Sequence, residues 1–530
     1  MNMSMKKIIP LLLALVMVLC VLASCQKEPD ATPTTTPGDN TPTQGQPTAT
    51  ESGSATPPEP TKSEYEKIGI PTVNYNDSTI HIFHWNSEKN EFDMTADEAG
   101  ADPIDNAIFD RNLKTQQLLG VELSFFESRG DGGAQEEFVS ALSARISDPT
   151  TPVDIVATYP RTMGIAMLQG LMTDLNSYED LDLTKEWWPK NLQEEFDLNG
   201  RLYFVSGDVS TNLLHMMYAT FFNRTQLEAF GTPVTSLINM VKEKEWTISK
   251  LYEITHGVYS DADNSGEQSE GDFYGCTFRY FDLDAFWQGT GYKMMVRNTD
   301  ETTREESPLA FDKDFFGETV GKFIKEANAW VTSDDTYLSG DDGIFASIFK
   351  NGNAIFCFNR SIYGFDLQNA DVKYGVLPMP MLDPERQGNY NTCLGNPYTL
   401  YGICVKSPDP DRAAVVLQTL GYYGQELTTP AIFDVTYQGK WAKEADMLEL
   451  FNIGRSGISF ELGRIYFKQM NYLPDVVTKC MRGDGIWANT WSSFQITIAQ
   501  NNLKKLNKNI VKILSEQTLF LKGRLKATCF

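Results

Sequence analysis

The chain has 530 residues, 12% of them aromatic, and carries 70 acidic against 45 basic side chains, a formal net charge of −25 at pH 7. That excess argues against nucleic acid as a partner, because phosphate backbones demand clustered Lys and Arg, and against broad contact with an anionic lipid surface. A chain of this length is too large for one core and divides into two lobes or more.

In chain order, Lys6 and Lys7 precede the apolar run Ile8–Leu22, and the small pair Ala23-Ser24 stands directly before Cys25. The run is shorter than the ~20 apolar residues of a membrane-spanning helix, and Pro10 interrupts it, so it predicts an export signal rather than a transmembrane anchor. Residues 22–25 resemble the lipobox of bacterial lipoproteins. The resemblance implies cleavage after residue 24, a diacylglyceryl group on the sulfur of Cys25, and attachment to the outer face of the cell membrane. From Pro29 to Thr61 the chain is dominated by Thr, Pro, Gly, Ser, Gln and Glu. Such a segment buries too little surface to offset its ordering entropy, so residues 25–61 read as a lipidated, disordered linker.

The body opens with Thr79–Trp85, where Ile80, Ile82 and Phe83 mark a buried strand, followed by a polar loop, Asn86–Asn90. Ile104, Ile108, Phe109 and Leu113 keep helical spacing up to a stop at Gly120, and Val121, Leu123 and Phe125 alternate as a strand. Phe138, Val139, Leu142 and Ile146 form the next helical face, and Val153–Val156 the next strand. Strand, helix, strand, helix, strand predicts an α/β fold with a parallel sheet and right-handed crossovers. Ligands of such sheets sit outside the carboxyl ends of the strands, here beside Trp85 and beside Tyr159 with Arg161. His81 and His84 are three apart on a strand and point to opposite faces, so they predict no zinc pair. Cys276, Cys357, Cys393, Cys404, Cys480 and Cys529 show no metal-site spacing; Cys393 and Cys404 are close enough for a hairpin disulfide, but buried free thiols are the expectation in so large a domain.

Further along stand Asn199-Gly-Arg-Leu-Tyr203, Phe221-Phe-Asn223, Glu245-Trp-Thr247, Phe273-Tyr-Gly275, Gly352-Asn-Ala-Ile-Phe356 and Tyr374-Gly-Val-Leu-Pro-Met-Pro380, and then Ser407-Pro408 ahead of Asp411-Arg-Ala-Ala414. In order and spacing this series resembles the extracellular solute-binding proteins of bacterial ABC importers, family 1, the carbohydrate type, over about residues 78 to 510. Leu427–Phe433 through Met447-Leu448 is similar to a long Gram-positive subgroup of these lipoproteins. Phe222 stands where the family usually has Tyr, and the tail 515–530 follows no family pattern.

The resemblance implies a two-lobed, periplasmic-binding-protein-like fold of type II, with a hinge and a ligand cleft between the lobes. It places lobe one at 78–205 plus 361–425 and lobe two at 206–360 plus 426–514, with crossings near Val205–Asp208, Asn359–Ser361 and Gln425. Small residues at the first crossing suit a segment whose backbone angles change on closure. It also implies a monomer that captures a carbohydrate, an oligosaccharide, and hands it to the permease. A sugar needs a flat ring against its C–H face and polar groups for its hydroxyls. Trp85, Tyr159, Trp287, Tyr398 and Trp487 are the candidate platforms; Arg161, Asp208, Gln288, Asn359, Arg360 and Asn396 are the candidate polar partners. Peptide capture and surface adhesion are the alternative functions.

One loop reads independently of the resemblance. Asp261, Asp263, Ser265, Glu267, Ser269 and Asp272 occupy positions 1, 3, 5, 7, 9 and 12 of a twelve-residue stretch with Gly266 at position 6, as in an EF-hand calcium loop. Ser at position 5 and Asp at 12 depart from the usual pattern, and an acidic solvated turn is the other reading. No cofactor is required by any motif. Ser347-Ile-Phe-Lys350 fits Ser-x-x-Lys, but without Lys-Thr-Gly or Ser-Asp-Asn it does not predict an enzyme.

Overall fold

The computed structural model describes residues 62–86, 102–340, 343–436, 445–491 and 493–527. The signal segment, Cys25, the linker, the loop after Asn86 and Cys529 lie outside the described residues.

Eleven strands are described: β1 Ser78–Asn86, β2 Val121–Arg129, β3 Ile155–Thr158, β4 Tyr218–Asn223, β5 Tyr274–Arg279, β6 Met295–Arg297, β7 Leu309–Phe311, β8 Thr336–Ser339, β9 Ala354–Arg360, β10 Tyr374–Leu377 and β11 Leu400–Ile403. They form two main sheets and one hairpin. The first sheet has the order β11-β3-β1-β2, with β1 parallel to β2 and β3, and β11 antiparallel to β3. The second has the order β10-β4-β9-β5-β8, with β5 parallel to β8 and β9, and β4 antiparallel to both its neighbours. Each sheet is the floor of one lobe.

The first lobe follows its sequence closely. Asp102 caps the helix Pro103–Leu119 by accepting from the amides of Ile104 and Asp105 at 2.7 and 3.3 Å, and Pro103 occupies the first turn, where a missing N–H costs nothing. Gly120 ends the helix at φ +60°, a left-handed conformation that a side chain would strain. Ile104 and Ile108 are buried as their spacing requires, and so is Arg111, which donates to the Val209 carbonyl at 2.8 Å in the segment joining the lobes. His81 bonds Asp154 at 3.1 Å while His84 packs edge-on against Phe125, on the other face of β1. Cys276, Cys357, Cys393, Cys404 and Cys480 are buried and free.

The boundaries of the lobes differ from the expected ones. The chain does not leave the second lobe at Asn359–Ser361: β9 runs on into β10, which pairs with β4 in the same sheet. The return to the first lobe comes later. Leu394 bridges Met217, Gly395 donates to the Met216 carbonyl at 2.7 Å, and Tyr401 bridges Val205 before β11 joins β3. Residues 361–377 therefore belong with the second sheet, because β10 satisfies its backbone groups there.

The C-terminal part does not stay with one lobe either. The helix Ser493–Ala527 covers most of the unassigned tail, receiving Arg201 on the Leu514 carbonyl at 2.6 Å, while Gln517 donates to the Met172 carbonyl in the first lobe and Asn507 bonds Leu309 of the β6–β7 hairpin. Gly207 in the first crossing also has a different reason from the one expected. A Cβ there would stand 2.4 Å from the Trp187 carbonyl oxygen, so the residue answers to close packing rather than to a special backbone angle.

Candidate interlobe ligand cleft

In the second sheet the parallel strands β5 and β9 end at Arg279 and Arg360, side by side on the edge that faces the N-terminus of helix Pro103–Leu119. Between them lies a cavity of about 880 Å³. Its first-lobe wall is Asp102, Ile104, Asp105 and Ile108; its second-lobe wall includes Arg279, Phe345, Asn359, Arg360 and Tyr363; Thr211, Asn212, His215 and Met216, in the crossing, close the back. This is the position outside the strand carboxyl ends where open α/β sheets bind ligands.

The charged groups of the cavity are arranged by depth. Asp102, Asp105 and Asp366 are exposed at the rim, and Asp102 is already engaged as a helix cap. Arg279 is half-buried and forked onto Asp282 at 3.0 and 3.2 Å. Arg360 is half-buried too, with no ion pair and no hydrogen bond to its guanidinium among the described residues, and with its Nε enclosed and unpartnered. It lies against the crossing strand, where a Cβ on Gly395 would come within 2.6 Å of that Nε. The glycine makes the close approach possible. His215, at the back, has an enclosed Nε2 without a partner, and burial lowers its pKa to about 4, opposed weakly by Asp102.

Next to the cavity a second group converges from three segments. Arg464 donates to the Leu394 carbonyl at 2.7 Å and to Asn396 at 2.6 Å, and stands 3.5 Å from Asp284. Gln288, Asn396, Tyr398, Glu461 and Arg464 enclose a small space of about 10 Å³, room for a single water. Tyr159 is buried, and its phenol is pushed up by that burial, while Arg161, Arg464 and Arg360 all act on it in the opposite sense.

The candidates named from sequence divide accordingly. Asn359 and Arg360 line the large cavity, and Gln288, Asn396 and Tyr398 the small one; Tyr159 and Arg161 adjoin them. Trp85 is only 1% exposed, donates from Nε1 to Thr399 at 3.0 Å and meets Tyr159 edge-on at 5.7 Å, so its ring is committed to tying β1 to the crossing strand. Trp287 and Trp487 are corrected as platforms. Trp287 packs among Tyr292, Phe315 and Phe323, and Trp487 against Phe315 and Trp491, so both rings serve one aromatic core. Asp208 is likewise no free ligand group: it is buried and paired with Arg455, and burial raises its carboxyl above the usual range despite that partner. Arg279, His215 and Arg464 were not among the candidates. A strand ending in Arg279 with Asp282 three residues on was the available signal for the first; nothing local marks the other two.

The acidic loop is compact. One oxygen each of Asp261, Asp263 and Asp272 fall within 4.8 Å of one another. Asp272 is buried and accepts from the Ala262 and Ser269 amides at 2.9 and 2.8 Å; Asp261 accepts from Ser265 and Gly266 at 3.2 and 2.8 Å. Ser265 donates to the Glu267 carbonyl at 3.0 Å, and Ser269 Oγ accepts from Gly271 at 3.3 Å. Three carboxylates with free lone pairs suit a hard cation with oxygen ligands.

No protein-family profile and no curated protein matches the chain by sequence. Solved structures do match it. The sugar-binding protein MalE from the phytopathogen Xanthomonas citri superposes with a TM-score of 0.51 at 12% identity, over 84% of this chain and 99% of that one. A cyclo/maltodextrin-binding protein complexed with maltotetraose gives 0.50 at 13% identity, over 83% and 97%. The chain thus has the two-lobed α/β fold of solute-binding proteins.

Proposed function

We propose that the protein captures an oligosaccharide outside the cell, between its two lobes, and delivers it to the permease of an ABC importer, without catalysis. The observation that carries this is the cavity of about 880 Å³ between helix Pro103–Leu119 and the ends of β5 and β9, in a fold shared with sugar-binding proteins. Its volume lies within the ~300–1,000 Å³ range of ligand sites, and its lining mixes amide and guanidinium groups for hydroxyls with apolar surface for C–H faces. The lipobox-like Cys25 supports a lipid anchor on the outer face of the membrane, with the linker as its tether, and no described helix is long and apolar enough to cross a membrane. In the same reading the loop 261–272 holds a structural calcium ion, supported by the six oxygen-bearing positions of its sequence and the convergence of three of them.

The test is a tryptophan-fluorescence and thermal-shift screen of the protein against mono- and oligosaccharides, with peptides alongside. A saturable response to one sugar class is expected. A response to peptides alone would replace the carbohydrate reading with a peptide receptor, and silence to both would favour an adhesin, which binds without lobe closure.

A further inference from the structure

We propose that the ligand of this cleft is an acidic saccharide, one whose rings carry a carboxylate or sulfate that Arg360 binds, with Arg161 as its positively charged neighbour; this rests on the carbohydrate reading above.

Acids outnumber bases 70 to 45 in this chain, yet not every cationic side chain has a carboxylate within 4 Å: Arg145 and Arg386, which stack on Phe126 and Tyr292 and do not line the cavity, have none. Among the described residues Lys242, Lys293, Arg279, Arg412, Arg455, Arg464 and Arg482 all have one within 4 Å. Arg360 and Arg161 have none. Both are half-buried, and the Nε of each is enclosed with no hydrogen-bond partner. Arg161 is held only by stacking, its guanidinium 3.6 Å over the Phe467 ring.

A guanidinium stays protonated wherever it is placed, so a partly desolvated one without an anion is unfavourable in the empty protein and is relieved by an anionic ligand. The two arise from different lobes, Arg161 just after β3 and Arg360 at the end of β9. Together with Arg464 they surround Tyr159, and Asp284, 3.5 Å from Arg464, is the one carboxylate within ion-pair distance of any of the three among the described residues. The cavity's own acids do not neutralise Arg360: Asp102, Asp105 and Asp366 are exposed at the rim, and none lies within 4 Å of it. The planar fork of arginine matches the two oxygens of a carboxylate or sulfate. The hydroxyls of a neutral sugar accept from a guanidinium without offsetting its charge.

Calorimetry on the protein decides it, using galacturonate, mannuronate and glucuronate oligosaccharides, each beside its methyl ester, with a sulfated chondroitin oligosaccharide, maltotetraose and inorganic sulfate as further arms. The expected result is binding of an acidic saccharide at least a hundredfold tighter than its ester or maltotetraose, weakening as salt rises, and reduced to the level of the ester by Arg360→Gln but only partly by Arg360→Lys. The carboxylate and chondroitin arms separate uronate from sulfate recognition. Sulfate ion alone binding as tightly would overturn the saccharide part. Should Arg360→Gln fail to fold by its melting curve, the acid-against-ester comparison on the unaltered protein stands by itself. An ester or neutral sugar binding as well as the acid would overturn the inference and leave the carbohydrate reading intact, whereas silence to every saccharide would overturn both.

Discussion

At the scale of single residues, His215 offers a measurement that does not depend on knowing the ligand. Its folded pKa of about 4 lies below the ordinary 6.5 because burial penalises the charged ring. The unfolded chain therefore binds the proton first as pH falls. The stability contributed by the neutral ring is complete above about pH 6.5 and is lost as pH drops towards 4, with an upper bound of ~3 kcal/mol. Other groups also take up protons on acidification, Asp284 and Asp208 among them, whose carboxyls burial raises above the usual range, so the informative quantity is a difference. His215→Gln should lose less stability than the parent between pH 7 and pH 4.5 in urea melts. Parallel pH profiles would show that the imidazole is protonated as readily in the folded state as in the unfolded. Sequence could not have found this residue, since a lone His in Asn212-Leu-Leu-His-Met216 carries no local signal and its environment is made by Phe365 and Asp102 from distant segments. Arg360 was named because the resemblance put a lobe crossing at Asn359–Ser361; the chain does not cross there, and Arg360 lines the cavity from the end of β9 instead, whereas Trp287 and Trp487 misled because polar neighbours in sequence are not neighbours of the ring in space.

At the scale of elements, the first lobe was legible because each device is local: a stop at Gly120, period 3.6 in the helices and apolar strands between them. The second lobe was less so. β10 could be recognised as a strand from Tyr374-Gly-Val-Leu377, but its place next to β4 is fixed by antiparallel bonds to the distant segment Thr220–Asn223, and no periodicity encodes a partner. The loop 261–272 is the reverse case, a signature complete in twelve residues. Its predicted consequence is specific: millimolar calcium raises the melting temperature by a few degrees, and chelation reverses it, as binding to the folded state alone requires. Asp261→Ala should abolish the calcium response while changing the chelated protein little, because the exposed loop contributes few buried contacts. A melting curve indifferent to calcium in the parent would make the loop the solvated turn that its sequence also permits.

At the scale of the whole molecule, lobe one, the β6–β7 hairpin and the C-terminal segment meet at one half-buried ion pair. Lys293 Nζ stands 2.8 Å from Glu195 and also donates to the Phe460 carbonyl and to Ser459, whose amide neighbour Phe460 N donates to Glu195 at 2.6 Å. Glu461 closes the knot by accepting from the amides of Met294 and Met295 at 2.9 and 3.2 Å. Lys293 follows the helix Leu283–Gly289 of the second lobe, whereas Glu195 precedes the segment that bridges β11 in the first, so the pair exists only while the lobes hold this relation. Hinge-binding proteins distribute between arrangements, and a contact made in one alone sets its population. Lys293→Met should therefore shift the unliganded protein away from this arrangement, seen as a larger radius of gyration in solution scattering. If the ligand binds this arrangement, apparent affinity should weaken by about tenfold for each ~1.4 kcal/mol of coupling lost. Glu195→Gln in the same chain should recover part of that loss, since it removes the half-buried carboxylate left without its partner. Unchanged scattering and unchanged affinity in Lys293→Met would mean that the hairpin and the C-terminal helix hold the lobes by themselves, and that the cleft opens by a local movement of its rim instead.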